Sequence, residues 1–172
     1  MTTFLTQFNQ NIQEIEQIPK NRYILKLLYA NVITLMETYL YELFINGVRE
    51  NNLYQKIVNN RNYQQYKIPL KLVEVNNFDI KNYIKTQIVE KILFHKTDSF
   101  LLFENVFEIQ IDITEEIKNA IKNRHHIIHR NGKDFNNQNI EISEEYLNEL
   151  IEEVRAFLTN IDRNFIDKYA IL

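Results

Sequence analysis

The stretch that decides the fold is SEEYLNELIEEVRAFLTNIDRNF, residues 143–165. Its apolar residues recur at every third or fourth position, which is typical of a helix that buries one face. Ser143 precedes two glutamates, and this pattern predicts the beginning of the helix. The stripe that we expect in the core consists of Leu147, Leu150, Ile151, Val154, Phe157, Leu158, Ile161 and Phe165.

The earlier parts of the chain show the same periodicity. Only two glycines and two prolines occur in 172 residues, which argues against a turn-rich β-sandwich or barrel. The predicted class is therefore all-α, a bundle of four main helices with one or two short extra helices, in a single domain over residues 1–172. We expect the further helices over residues 4–18, 20–46, 78–94, 98–108 and 114–130.

The segments between these helices predict several local features. Gly47 is either the end of the second helix or a weak point within it. Residues 48–76 predict a short helix followed by a loop, and the alternating run 108–113 predicts an extended connector. The helix over 98–108 should be capped by Thr97 or Asp98, and the helix over 114–130 should begin with a capping box of Asp112 and Glu115.

The composition excludes several classes of protein. The absence of cysteine excludes disulfides and thiolate metal sites. The amino-terminal residues lack the features of a signal peptide, and no apolar run is long enough to cross a membrane. We therefore expect a cytoplasmic protein with no membrane partner. The net charge of -3 does not by itself indicate a nucleic-acid-binding protein.

The segment NRHHIIHRNG, residues 123–132, contains three of the four histidines. A helical projection places Arg124 within the apolar stripe, where its charge needs either a path to solvent or an anionic partner. The same projection puts His125 and His129 side by side at the edge of the stripe, and His126 on the far face. The sequence therefore predicts that Arg124, His125 and His129 converge on one edge of a helix.

Charge is distributed unevenly around this segment. Residues 117–133 contain no acidic side chain, and residues 141–153 contain six glutamates. One interpretation is a local anion-binding site, and the other is two solvated helix faces that attract each other. The basic side chains between 117 and 133 are Lys118, Lys122, Arg124, Arg130 and Lys133.

Structural alternatives exist for each candidate residue. A histidine near a helix end often interacts with the last carbonyls, and Arg124 is a candidate for an ion pair with a glutamate of the last helix. His125 and His129 have metal-ligand spacing, but the sequence offers no clear third ligand, so we expect no metal and no cofactor. Most of the Tyr and Phe residues have the spacing of core residues and do not predict a base-stacking surface.

The segment resembles the active-site motif of the HEPN superfamily, an arginine followed by a polar residue and, a few positions later, a histidine. Arg124, His125 and His129 match these positions. The sequence after His129, Arg130-Asn131-Gly132, is similar to the helix end in RiboL-PSP-HEPN and related nuclease families. The helix over residues 27–40 resembles the second helix of those families, which contains aromatic residues and a glutamate.

The resemblance implies a metal-independent endoribonuclease that acts as a homodimer, a toxin or phage-defence effector. RNA would be cut by attack of its own 2′-hydroxyl, giving a 2′,3′-cyclic phosphate. His129 would transfer protons, Arg124 would hold the phosphate, and His125 would orient it or act as the second proton carrier. An antitoxin or sensor protein is the expected restraining partner. The residues expected to bind RNA are Lys118, Lys122, Arg130, Asn131 and Lys133.

Two other functions remain open at this stage. One is a non-catalytic HEPN-like helical module that binds a partner protein or a nucleotide. The other is an ordinary helical scaffold in which the motif occurs by coincidence.

Overall fold

A computed structural model describes residues 1–59, 79–87 and 91–169 of the chain. The fold is all-α, as predicted, and a lone β-bridge between Lys133 and Asn139 is the β pairing that the described residues show. The described residues form seven helices, four long and three shorter. The helices are α1 (Thr3–Gln17), α2 (Arg22–Glu50), α3 (Tyr54–Asn59), α4 (Ile80–Gln87), α5 (Thr97–Phe107), α6 (Glu115–His129) and α7 (Glu144–Tyr169).

The chain divides into two compact units, and the boundary between them falls within α2. The first unit consists of Met1–Leu40 and Ile111–Leu172, and the second consists of Tyr41–Gln110. The first unit therefore contains α1, most of α2, α6 and α7. The assignment of one domain to residues 1–172 stays a prediction.

The core of the first unit is built on α7. All eight residues of the stripe predicted for this helix are buried. They pack against α1, whose buried residues are Leu5, Phe8, Ile12 and Ile15, and against α6. The hydroxyl of Ser143 accepts a hydrogen bond from the backbone N–H of Tyr146 at 3.0 Å, so Ser143 caps α7 as the sequence predicts.

One buried carboxylate in this core was not predicted. Asp162 of α7 is only 2% exposed. It accepts hydrogen bonds from the backbone N–H of Thr2 at 3.0 Å, from the hydroxyl of Thr2, and from the hydroxyl of Tyr39 at 3.0 Å. These donors offset the cost of removing the charge from water. Burial, with the negative charge of Asp162 beside it, raises the pKa of Tyr39.

The second unit has an aromatic core. The ring of Phe44 lies 6.0 Å from Phe94, 6.0 Å from Phe103 and 5.5 Å from Phe107, measured between ring centroids. Short helix α3 packs against α5 and α4. Helix α3 confirms the short helix predicted within residues 48–76. The rest of that prediction falls mostly on residues 60–78, which lie outside the described part of the chain. Residues 88–90 of the helix predicted over 78–94 also lie outside it.

Three predicted helix boundaries differ from the structure. Helix α2 continues through Gly47, which is buried, because Phe44 and Val48 on either side bury their side chains in the core. Helix α5 is preceded by Lys96 as N-cap, without a side-chain hydrogen bond, in place of Thr97 or Asp98. Helix α6 is capped by the hydroxyl of Thr114, which accepts from the N–H of Ile117 at 3.3 Å, and not by Asp112.

The connector over residues 108–113 has no helix or strand, as expected, and buries Ile109 and Ile111. Among the described helices, none combines the length with the apolar character that a membrane span requires.

Candidate active site at the end of helix α6

Helix α6 ends where the sequence predicts, just before Gly132. Two backbone N–H groups, those of Arg130 and Gly132, donate to the carbonyl of His126 at 3.0 and 3.1 Å. Asn131 and Gly132 have φ angles of 53° and 74°, in the left-handed region that favours glycine. A Cβ on Gly132 would also lie 3.3 Å from Nζ of Lys26, so this turn suits a residue without a side chain.

His125 and His129 lie side by side on the last turns of α6, as the helical projection predicts. Their ring centroids are 4.8 Å apart and the ring planes are inclined by 48°. Both side chains are exposed. We call these two residues the imidazole pair. Two exposed imidazoles one helical turn apart are able to give and take protons on the same bound molecule.

Arg124 does not share the exposure of the imidazole pair. Its side chain is 23% exposed, and its Nη2 lies 3.8 Å from Oε2 of Glu37, whose side chain is 15% exposed. An anionic partner for Arg124 was expected, but the candidate was a glutamate of the last helix, and this one belongs to α2. The structure thus brings the two histidines together and directs Arg124 to Glu37.

The pair of Arg124 and Glu37 is incompletely bonded. The distance of 3.8 Å exceeds that of a hydrogen bond. Nε of Arg124 and Oε1 of Glu37 are both buried, and neither has a hydrogen-bond partner within the described part of the chain. Burial raises the pKa of Glu37, and the positive charge of Arg124 opposes that rise. The described residues therefore leave the guanidinium incompletely bonded, with its Nε enclosed by protein.

A polar contact next to Arg124 fastens α6 to the neighbouring helices. Nδ2 of Asn123 donates to the hydroxyl of Tyr29 at 3.4 Å, and the hydroxyls of Tyr29 and Tyr146 are 3.5 Å apart. Burial, followed by the contact with Tyr146, raises the pKa of Tyr29. These contacts join α2, α6 and α7, and they fix the helix turn from which Arg124 projects.

His126 is buried, although the projection placed it on the far face of the helix. It is 6% exposed, and its ring meets that of Phe135 edge to face, with centroids 4.6 Å apart. The loop after α6 folds back over this side of the helix, an interaction that periodicity does not predict. Conversely, Ile128, one helical turn after Arg124, is 51% exposed.

The residues expected to bind RNA have different surroundings. Nζ of Lys118 lies 2.6 Å from Oε1 of Glu115, one turn earlier. The guanidinium of Arg130 donates to the carbonyls of Lys133 and Asp134, both at 3.3 Å. Lys122, Arg130 and Asn131 are exposed, and Lys133 is half-buried. The structure places all five on α6 or in the loop that follows it.

The acidic segment finds its described partners elsewhere. Glu141 pairs with Arg22, the first residue of α2, and Glu144 lies 3.2 Å from Nζ of Lys20, just before that helix. No described ion pair of these two glutamates involves a basic residue of α6. The interpretation that the basic face of α6 and the acidic face of α7 attract each other is therefore not supported for Glu141 and Glu144.

Sequence reasoning missed Glu37 as a site residue. The signal was present, because a glutamate among the apolar residues of α2 has to meet a cation if its charge is buried. What the sequence lacked was the pairing of α2 with α6.

Comparison with models of protein families, with curated proteins and with solved structures finds no match. Within residues 1–59, 79–87 and 91–169, no three His, Asp or Glu side chains come together in the way that a metal site requires.

Proposed function

We propose that the protein is an endoribonuclease that works without a metal ion, of the HEPN type that its motif resembles. The observation that carries the proposal is the imidazole pair, two exposed rings 4.8 Å apart at the end of a helix. Support also comes from the charge around it, because residues 117–133 contain basic and no acidic side chains.

RNA supplies its own nucleophile in this reaction, the 2′-hydroxyl. One imidazole of the pair, neutral at the start, takes the proton of that hydroxyl as its oxygen bonds to phosphorus. The bond from phosphorus to the 5′-oxygen breaks, and a protonated imidazole supplies the proton that this leaving oxygen needs. The products are a 2′,3′-cyclic phosphate and a 5′-hydroxyl. We assign His129 to proton transfer, and His125 to orientation of the phosphate or to the second proton transfer.

Arg124 is assigned to the phosphate itself. A guanidinium binds a phosphate through two parallel hydrogen bonds and stabilises the charge that grows on it. The loose pair with Glu37 supports this assignment, because Nη2 of Arg124 at 3.8 Å is too far from Oε2 of Glu37 for a hydrogen bond. Glu37 thus holds the partly buried guanidinium between α2 and α6 without a tight ion pair.

A second copy of the chain is part of the proposal. The resemblance implies that two motifs face each other across a two-fold axis, and this chain carries one. Lys122, Arg130, Asn131 and Lys133 would border the composite groove, with Lys118 further along the helix. We further propose that an antitoxin or sensor protein restrains the activity. Such a partner would fit a role of the protein as a toxin or phage-defence effector.

A specific observation favours a second candidate function, a non-catalytic helical module that binds a partner protein or nucleotide. Arg124 is paired with Glu37 and only 23% exposed, as a structural arginine would be. The two functions differ in what they require of the histidines, since a binding module has no need of an exposed imidazole pair.

The test is cleavage of single-stranded RNA by the purified chain in the presence of EDTA. We expect His129→Ala to lower the rate by about a hundredfold or more, the usual contribution of a general acid or base. His95→Ala is the matched control, because His95 is also exposed but lies outside the motif. The 5′ ends of the products should accept phosphate from a polynucleotide kinase without prior dephosphorylation.

Equal cleavage by the wild type and His129→Ala would contradict the proposal, as would loss of all activity in EDTA. Intact RNA with the wild type, together with unchanged growth of cells that express it, would favour the binding module.

A further inference from the structure

The loop between α6 and α7, residues 130–143, contains a hydrogen-bonded turn over residues 134–138. Oδ1 of Asp134 accepts from the N–H groups of Asn136 and Gln138, both at 2.8 Å. The N–H of Asp134 donates to the carbonyl of Gln138 at 2.9 Å, and the N–H of Ile140 donates to the carbonyl of Gly132 at 2.8 Å. Both sides of the turn are thus tied together, and the backbone of the residue after Asp134 is held within it.

That residue is Phe135, whose ring is 77% exposed, more than any other phenylalanine or tyrosine in the described ranges. Its contacts are with side chains of the site helix and its end. The ring of the buried His126 meets it edge to face at 4.6 Å, and the guanidinium carbon of Arg130 lies 4.9 Å from its centroid. A ring exposed on a hydrogen-bonded turn offers a flat apolar face to a bound molecule.

We propose that Phe135 stacks on a nucleobase of single-stranded RNA bound at the imidazole pair. This inference rests on the proposed ribonuclease function and adds to it a binding site for one unpaired base. Arg130 is the residue directly after His129, so the ring that it contacts stands at the same helix end as the pair. A base held there would fix the adjoining phosphate near the imidazoles.

The size and charge of the surface favour a base over a protein partner. One aromatic ring matches the face of one base, whereas a stable protein interface buries about 800 Å² on each side. Arg130 lies against the ring and Lys133 is two residues earlier, while the carboxylate of the adjacent Asp134 is engaged by the backbone of the turn. Double-stranded RNA hides the faces of its bases in the stack, so the ring selects unpaired RNA.

The test measures binding of short fluorescent RNAs by the full chain in the His129→Ala background, which prevents cleavage. One RNA is single-stranded, a second has the same phosphates but abasic riboses, and a third is a duplex. We expect Phe135→Ala to weaken binding of the single strand by about tenfold, the usual contribution of one stacked base. Binding of the abasic and duplex RNAs should be unchanged.

Two further variants separate stacking from packing against His126. Phe135→Leu keeps the apolar bulk without a flat ring, so it should resemble Phe135→Ala, and Phe135→Trp should bind as well as Phe135 or better. Leu101→Ala in α5 is the matched control for loss of an exposed apolar side chain. Thermal unfolding of each variant checks that the fold is intact.

Three results would overturn the inference. One is unchanged binding by Phe135→Ala, another is an equal loss with the abasic RNA, and the third is a loss of self-association, which would make the ring a protein contact. If any one of these results is obtained while the wild type still cleaves RNA, the ribonuclease function stands and the stacking role alone fails. If the wild type neither binds nor cleaves RNA, both fail.

Discussion

Two polar sites on α2 lie within two residues of each other and are built in opposite ways. Tyr39 donates to the buried carboxylate of Asp162, which also accepts from the backbone and hydroxyl of Thr2. Glu37 faces Arg124 across 3.8 Å, and each partner keeps a buried atom without a hydrogen bond among the described residues. The first site is saturated by the protein, and the second is not.

The difference separates stability from function. A buried charge whose bonds are all made within the chain holds the fold together and has nothing left for a ligand. A guanidinium that is kept half-buried but not fully bonded has donors to offer to a phosphate. The predictions below change one residue of each site and ask whether the loss appears in stability or in cleavage.

The largest expected effect follows from removing the saturated carboxylate. Asp162→Ala leaves the N–H and hydroxyl of Thr2 and the hydroxyl of Tyr39 without their acceptor. We expect the free energy of unfolding to fall by about 3 kcal/mol, since each buried group left unpaired costs about 1 kcal/mol or more. Urea unfolding followed by circular dichroism measures the change, and the cleavage rate of the folded fraction should remain.

Asp167→Ala is the control for this prediction, because Asp167 is an exposed carboxylate on the same helix. Its effect should stay within about 0.5 kcal/mol. A comparable loss in both variants would mean that the network around Asp162 has no special role.

The second-largest expected effect follows from removing Arg124 of the unsaturated site, and it appears in the rate of RNA cleavage. Arg124→Ala removes the group assigned to the phosphate, and we expect RNA cleavage to slow by about a hundredfold, which corresponds to about 2.7 kcal/mol. Stability should change less than in Asp162→Ala, because Glu37, whose pKa is already raised by burial, is able to take up a proton once its partner is lost.

Arg163→Ala provides the comparison, an exposed arginine on α7 that lies outside the site. Arg124→Lys keeps the charge without the planar fork and should remain slow. If Arg124→Ala instead unfolded as readily as Asp162→Ala and cut RNA at the normal rate, Arg124 would be structural and the binding module would be the better account.

The sequence predicts well what depends on local periodicity. The stripe of α7, the end of α6 before Gly132 and the adjacency of His125 and His129 all follow from helical geometry, and the structure confirms each of them. These features need no knowledge of which helix packs against which.

The sequence does not predict what depends on contacts between distant segments. Asp162 falls on the apolar stripe, yet its burial requires donors from Thr2 and Tyr39, which are 160 and 123 positions away. Glu37 becomes the partner of Arg124 through the packing of α2 with α6. His126 is buried by a loop that folds back, and the same loop presents Phe135, which composition alone could not distinguish from the core aromatic residues.

The smallest effect tests which force governs Glu37 within the unsaturated site. If burial outweighs the pull of Arg124, the folded protein keeps a proton on Glu37 at pH values where the unfolded chain has released it. Stability from this group is then lost as pH rises above the ordinary value of 4.5. Glu37→Gln, which does not titrate, should gain stability relative to the wild type over that range, as measured by urea unfolding at several pH values.

The exposed Glu149→Gln should show no such trend. The opposite slope, with the wild type gaining on Glu37→Gln as pH rises, would mean that the attraction of Arg124 outweighs burial, and the contrast with the saturated site of Asp162 would then fail.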